Sequence, residues 1–114
     1  MTGRNLRRCR GMLAAASLML MLTVIGAARA EDAAVTIDNF TFTPATLTVA
    51  PGTRVVWTNR DDIPHTVVSA LSPPLFKSKA LDTDGSFSMV FDKPGTYGYF
   101  CGLHPHMQGA IVVK

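Results

Sequence analysis

From Val35 onward the apolar positions of this chain fall two residues apart. Val35-Thr36-Ile37, Leu47-Thr48-Val49 and Val55-Val56-Trp57-Thr58 each set an apolar side chain on every second position, and Phe87, Met89 and Phe91 do so among Ser86, Ser88 and Val90. Tyr97, Tyr99 and Cys101 share one face of the next run, and Ala110 to Val113 makes a closing strand that starts near Gln108. A period of two belongs to half-buried strands, and no stretch of this region carries a helical period. Between the runs stand Pro51-Gly52, Asp61-Asp62, Pro73-Pro74, Asp84-Gly85 and Pro94-Gly95, residue pairs that punctuate a chain as turns. Short strands at this spacing predict an all-β fold, an antiparallel sandwich or barrel. Trp57 shares a strand face with Val55 and is expected in the core. The segment from Ser69 to Asp82 lacks the alternation and is expected to be a loop with one irregular edge strand. Its apolar residues Leu71, Pro73, Pro74, Leu75 and Phe76 either cover the edge of the core or form a docking patch.

The region before Val35 follows a different pattern. Arg4, Arg7, Arg8 and Arg10 precede a run from Met12 to Gly26 that is apolar apart from Ser17 and Thr23, and Ala28-Arg29-Ala30 closes it. A positive start, an apolar centre and an A-x-A end make an export signal. We therefore expect residues 1–30 to be a cleaved signal peptide and residues 31–114 to be one domain, beginning at Glu31 and lying in the periplasm. The apolar run is shorter than the roughly 20 residues of a membrane span, so no membrane insertion is expected after cleavage. Arg7-Arg8 hints at twin-arginine export, but Sec export is the expected route.

Removing the leader reverses the charge. The whole chain carries +3, whereas residues 31–114 hold six basic side chains (Arg54, Arg60, Lys77, Lys79, Lys93, Lys114) against eight acids, a net −2. Nucleic acid is thereby excluded as an expected partner, since binding it calls for a basic surface. Cys9 leaves with the leader and Cys101 remains alone, so no intramolecular disulfide can form. A free thiol in an exported protein is a liability unless it pairs between chains or is occupied, and a metal would occupy it.

Cys101 belongs to the stretch CGLHPHM, in which Cys101, His104 and Met107 all hang from the turn between two predicted strands. His65 follows Pro64 just after the Trp57 strand, is expected to begin another strand, and could therefore approach the same end from a neighbouring strand. Taken singly, Cys101 reads as a small buried hydrophobe, His65 as a structural or surface histidine and Met107 as core filler. Together, two imidazoles and a thiolate with a weak axial thioether are the donor set of blue copper electron-transfer sites. Thiolate and thioether favour Cu(I), and imidazole accommodates both oxidation states. Zinc competes for Cys and His but rarely recruits Met. A tetrahedral Cys101, His65, His104, His106 set would need two histidines separated only by Pro105 to converge on one ion.

The sequence from VTIDNFTFTPATLTVAPGTRVVWTNRDDIPHTV through FSMVFDKPGTYGYFCGLHPHMQGAIVV resembles the cupredoxins, and its short C-x2-H-x2-M loop resembles the amicyanins among them. The resemblance implies a Greek-key β-sandwich of seven to eight strands. It also implies one type 1 copper held by His65, Cys101 and His104 with Met107 axial, and electron exit through the ring edge of His104. It further implies a monomer without enzymatic turnover, passing electrons between redox proteins such as an amine dehydrogenase and a c-type cytochrome. Thr66 stands where many cupredoxins have an asparagine that ties the two ligand loops, and its hydroxyl could make a similar bond with less reach. His106 replaces an apolar residue beside the expected exit.

The remaining residues refine the choice of function. Met1, Met12, Met19 and Met21 lie in the predicted leader, leaving Met89 and Met107, which argues against a Met-rich copper chaperone. Copper storage or delivery through the same four ligands is the alternative to electron carriage. An oxidase would need further copper centres, for which no second donor cluster exists in the sequence. Tyr97 and Tyr99 are expected to pack near the metal, Pro64 and Pro105 to stiffen the chain beside ligands, and Asp61-Asp62 to form a solvated turn.

Overall fold

The computed structural model describes residues 32–114 together with Gly3; that residue aside, the predicted export signal and its cleavage point before Glu31 lie outside the described residues. Eight strands follow one another: β1 (Ala33–Asp38), β2 (Thr41–Thr43), β3 (Thr46–Val49), β4 (Thr53–Asn59), β5 (Val68–Ser69), β6 (Ser86–Phe91), β7 (Gly95–Phe100) and β8 (Gln108–Val113). They form two four-stranded sheets, ordered β2-β1-β4-β6 and β3-β8-β7-β5. No helix among the described residues is long and apolar enough to cross a membrane.

The two-residue alternation decides which face of each strand is buried. Val35 and Ile37 of β1, Val55 and Trp57 of β4, Tyr99 of β7 and Ile111 and Val113 of β8 turn inward and pack into one cluster between the sheets. Trp57 sits at its centre, edge-on to Tyr99 with ring centroids 5.3 Å apart, and Phe76, Phe87 and Phe91 surround it. The apolar stretch after β5 divides its duties: Phe76 is buried against Trp57, whereas Leu71 and Leu75 are exposed. The irregular edge strand is β5, beginning one residue before the segment in which it was expected, with further bridges from Val68 to Lys77 and from His65 to Leu81.

The sandwich is mixed rather than purely antiparallel. β1 runs parallel to β4, with Val35 opposite Trp57, and β3 runs parallel to β8. β2 and β3 are close to one continuous run, broken at Pro44-Ala45 where the chain passes from one sheet to the other. The turn at Pro51-Gly52 then returns β4 beside β1, on the side opposite β2. Gly52 takes φ +87 there, a left-handed conformation suited to glycine. Alternation reports which face is buried but not the direction of the neighbouring strand, so this feature is silent in the sequence. The parallel register brings the β1–β2 turn and the segment after β4 to one end of the sandwich. The β7–β8 loop reaches the same end.

Candidate metal centre

The β7–β8 loop is closed by its own backbone. Cys101 N–H donates to the Met107 carbonyl (3.1 Å), His104 N–H to the Cys101 carbonyl (3.3 Å) and Met107 N–H to the His104 carbonyl (2.9 Å). The three predicted donor residues of this loop are thus mutually bonded through their main chains, and the spacing of three residues between them is what permits it. Cys101 is fully buried, Met107 is buried in the core and His104 is partly exposed.

His65 arrives from the segment after β4. It pairs with Leu81 through two backbone hydrogen bonds of 3.2 and 2.7 Å, an isolated bridge rather than the start of a strand. A buried Asn59 shapes the turn before it: its side-chain amide donates to the Ile63 and Leu81 carbonyls (2.9 and 2.8 Å), and its Oδ1 accepts from Asp61 N–H (3.0 Å). All of that leaves His65 with no exposed surface.

The structure brings His65, Cys101 and His104 together. Cys101 Sγ lies 3.7 Å from Nδ1 of each histidine, and the two Nδ1 atoms are 3.2 Å apart. A point equidistant from the three lies about 2.1 Å from each, against roughly 2.0–2.1 Å for a metal–imidazole and 2.3 Å for a metal–thiolate bond. The donors therefore fit one ion without rearrangement. His106 is exposed and stands outside this group, which removes the four-donor zinc set considered from sequence.

Two hydrogen-bond ties orient the donors. Gly102 N–H donates to Thr66 Oγ1 at 2.8 Å, so threonine joins the two ligand loops as an asparagine would, and Thr66 N–H points at Cys101 Sγ (3.4 Å). The second tie was invisible in the sequence. Asp61 Oδ2 lies 2.7 Å from His65 Nε2, and the same carboxylate accepts from the N–H groups of Asn39 (2.6 Å) and Phe40 (2.9 Å). The solvated Asp61-Asp62 turn is corrected accordingly: Asp62 is exposed, but Asp61 is largely buried and bonded. The Phe40 amide, with those of Asn39 and the His65 ring, holds its carboxyl down at about 2, against the cost of burial. Donation of Nε2–H to that carboxylate leaves His65 Nδ1 bare in the neutral ring, as a metal ligand requires.

Tyr97 also departs from expectation. Its hydroxyl donates to the Lys93 carbonyl (2.7 Å) across the β6–β7 turn, and its ring packs on Phe91, so it braces a corner instead of the metal end. Tyr99 lies in the core between Phe42 and Trp57. Pro64 and Pro105 are both exposed beside ligands.

Comparison with known proteins agrees with this geometry. The cupredoxin-like domain family matches residues 11–113. Amicyanin-alpha of Methylorubrum extorquens is 32% identical over 96 residues, covering 82% of this chain and 81% of that relative. Among solved structures, a Cu(I) form of an amicyanin variant superimposes with a TM-score of 0.69 at 29% identity, over 73% of this chain and 82% of that one. A purple cupredoxin from Nitrosopumilus maritimus gives 0.68 at 34% identity, over 73% of this chain and all of that one. Two four-stranded sheets, a histidine–cysteine–histidine cluster at one end and a family match along most of the sequence make one conclusion: this chain belongs to the cupredoxin-like family.

Proposed function

We propose that this protein carries single electrons on one type 1 copper ion, which His65, Cys101, His104 and Met107 would hold. The observation that carries the reading is the triangle of one sulfur and two nitrogens, already spaced for a single ion. Copper bound there supplies a one-electron Cu(II)/Cu(I) couple. The chain supplies rigidity: the Thr66–Gly102 and Asp61–His65 ties restrain donors from two loops, and the buried Cys101 and His65 exclude water. His104 is the one donor of the triangle that reaches the surface, and it serves as the electron exit. Exposed Phe40, Pro64, Leu103 and Pro105 give that end an apolar rim suited to the small, weak interfaces of electron-transfer partners. An amine dehydrogenase as donor and a c-type cytochrome as acceptor fit the amicyanin-like loop. No substrate is turned over. Residues 1–30 direct Sec export, and the domain from Glu31 acts as a monomer in the periplasm.

The test sets electron release against copper release. Protein loaded with Cu(I) is mixed with an oxidised c-type cytochrome, and separately with a Cu(I) chelator. Carriage predicts cytochrome reduction within seconds while the copper stays bound for far longer. Copper moving to the chelator as fast as electrons move to the cytochrome would instead make the protein a copper-delivery device.

A further inference from the structure

Asn39 and Phe40 join β1 to β2 as a two-residue hairpin turn, with Asp38 paired to Thr41 across it and φ angles of 49° and 55°. Such a turn demands left-handed backbone at both positions, and asparagine followed by glycine is its usual filling. Asn39 conforms. Phe40 does not, because a bulky residue at positive φ is a backbone outlier that persists only where its surroundings enforce it. Here the enforcing group is Asp61, whose carboxylate takes both turn N–H groups while it also holds His65. Nor is Phe40 retained for the core, since it is 50% exposed. Its ring stands edge-on against the imidazoles of both His65 (centroids 5.4 Å apart, 87°) and His104 (5.0 Å, 84°).

Those two imidazoles are secured unequally. His65 is buried and tethered through Nε2 to Asp61. His104 is partly exposed, and among the described residues the only hydrogen-bond-range neighbours of its ring are Cys101 Sγ and His65 Nδ1, both at its Nδ1. Its ring orientation therefore rests on packing, and Phe40 is the aromatic wall it packs against. We propose that Phe40 is a positioning residue, kept at a strained turn because its ring holds the His104 imidazole with Nδ1 facing Cys101 and His65. The purpose of that orientation rests on the copper reading, but the orientation itself does not. The glycine that would relax the turn would also remove the wall.

Phe40→Gly and Phe40→Leu, compared with the unaltered protein, separate these two effects. Glycine suits the backbone, so Phe40→Gly is expected to melt at the same temperature or higher. Nuclear magnetic resonance of the metal-free proteins should show one His104 ring orientation in the unaltered chain and an averaged one in Phe40→Gly, with the His65 ring unchanged in both. In copper-loaded protein, release to a chelator should quicken by about tenfold in Phe40→Gly, the scale seen when a partner that orients a ligand is lost. Phe40→Leu, which keeps an apolar wall, should fall between. A His104 ring as ordered in Phe40→Gly as in the unaltered protein would overturn the assignment. So would a fall in melting temperature that accompanies the loss of ring order, since that would make Phe40 a residue of the fold. If the unaltered protein takes up no copper, the copper reading fails, while the metal-free ring measurement still decides the role of Phe40.

Discussion

Asp61 and Asp62 are indistinguishable in the sequence, yet only the first has a place in the structure. Its carboxylate bonds three groups from two segments, and hydrogen bonds to a charged acceptor are worth more than neutral ones. Asp61→Ala should lower stability by about 2 kcal/mol or more, against about 0.5 kcal/mol or less for exposed Asp62→Ala, as read from denaturant unfolding. Tyr99 points the other way. Its hydroxyl is buried and makes no full hydrogen bond among the described residues, and burial pushes the phenol pKa up against a weaker pull from the Trp57 indole N–H. Deleting an unpaired buried hydroxyl removes a desolvation penalty, so Tyr99→Phe should raise stability by about 1 kcal/mol. A loss of that size instead would mean that the hydroxyl is hydrogen-bonded. Thr66 was legible as a loop tie because its place beside the ligand histidine is fixed in the family pattern. Asp61 and Asn59 were not legible, because what they bond is fixed only after β1, β4 and the segment through Leu81 have met.

Individual strands show the same division. β1, β3, β4, β6, β7 and β8 were readable because each buries one face, and burial on one face leaves a period of two. β2 was not, since its turn carries Phe40 where a glycine would have announced a hairpin. The pairing of β7 with β8 places Gly109 opposite Tyr99, and a Cβ at Gly109 would lie 2.4 Å from the Tyr99 ring carbon and hydroxyl. That ring is wedged against Phe42 and Trp57 and has little room to retreat. Gly109→Ala should therefore cost about 2–3 kcal/mol, in the range of overpacked cores. Tyr99→Leu in the same chain should recover part of that loss, a non-additivity that a double-mutant cycle measures. Purely additive costs would show that the strand pair relaxes around the new methyl.

On the scale of the whole molecule, the ligands come from two loops that the sandwich holds at one end, so the fold and the metal should stabilise each other. An ion that binds only the folded chain, at a free concentration about 100 times its dissociation constant, adds about 2.7 kcal/mol. For a domain of this size that is a rise in melting temperature of roughly 10–20 °C. Cys101→Ala should abolish the rise, and an unchanged rise would place the metal elsewhere. The meeting of Cys101 and His104 was legible early because both share one short loop, which concentrates the signal in a few residues. The ring orientations, the aspartate behind His65 and the aromatic wall over His104 depend on contacts between distant segments.

Electron carriage by this protein requires that folding by itself assemble a mononuclear copper–thiolate centre. Cu(II) titrated into the protein with Cys101 kept reduced, followed by visible absorption and electron paramagnetic resonance, tests this most directly. One equivalent should produce an intense copper–thiolate band with a small hyperfine splitting, and a second equivalent should add nothing to either. A pale spectrum with a wide splitting, or oxidation of Cys101 without the band, would show that the three donors do not close around copper and that the protein is no blue copper carrier.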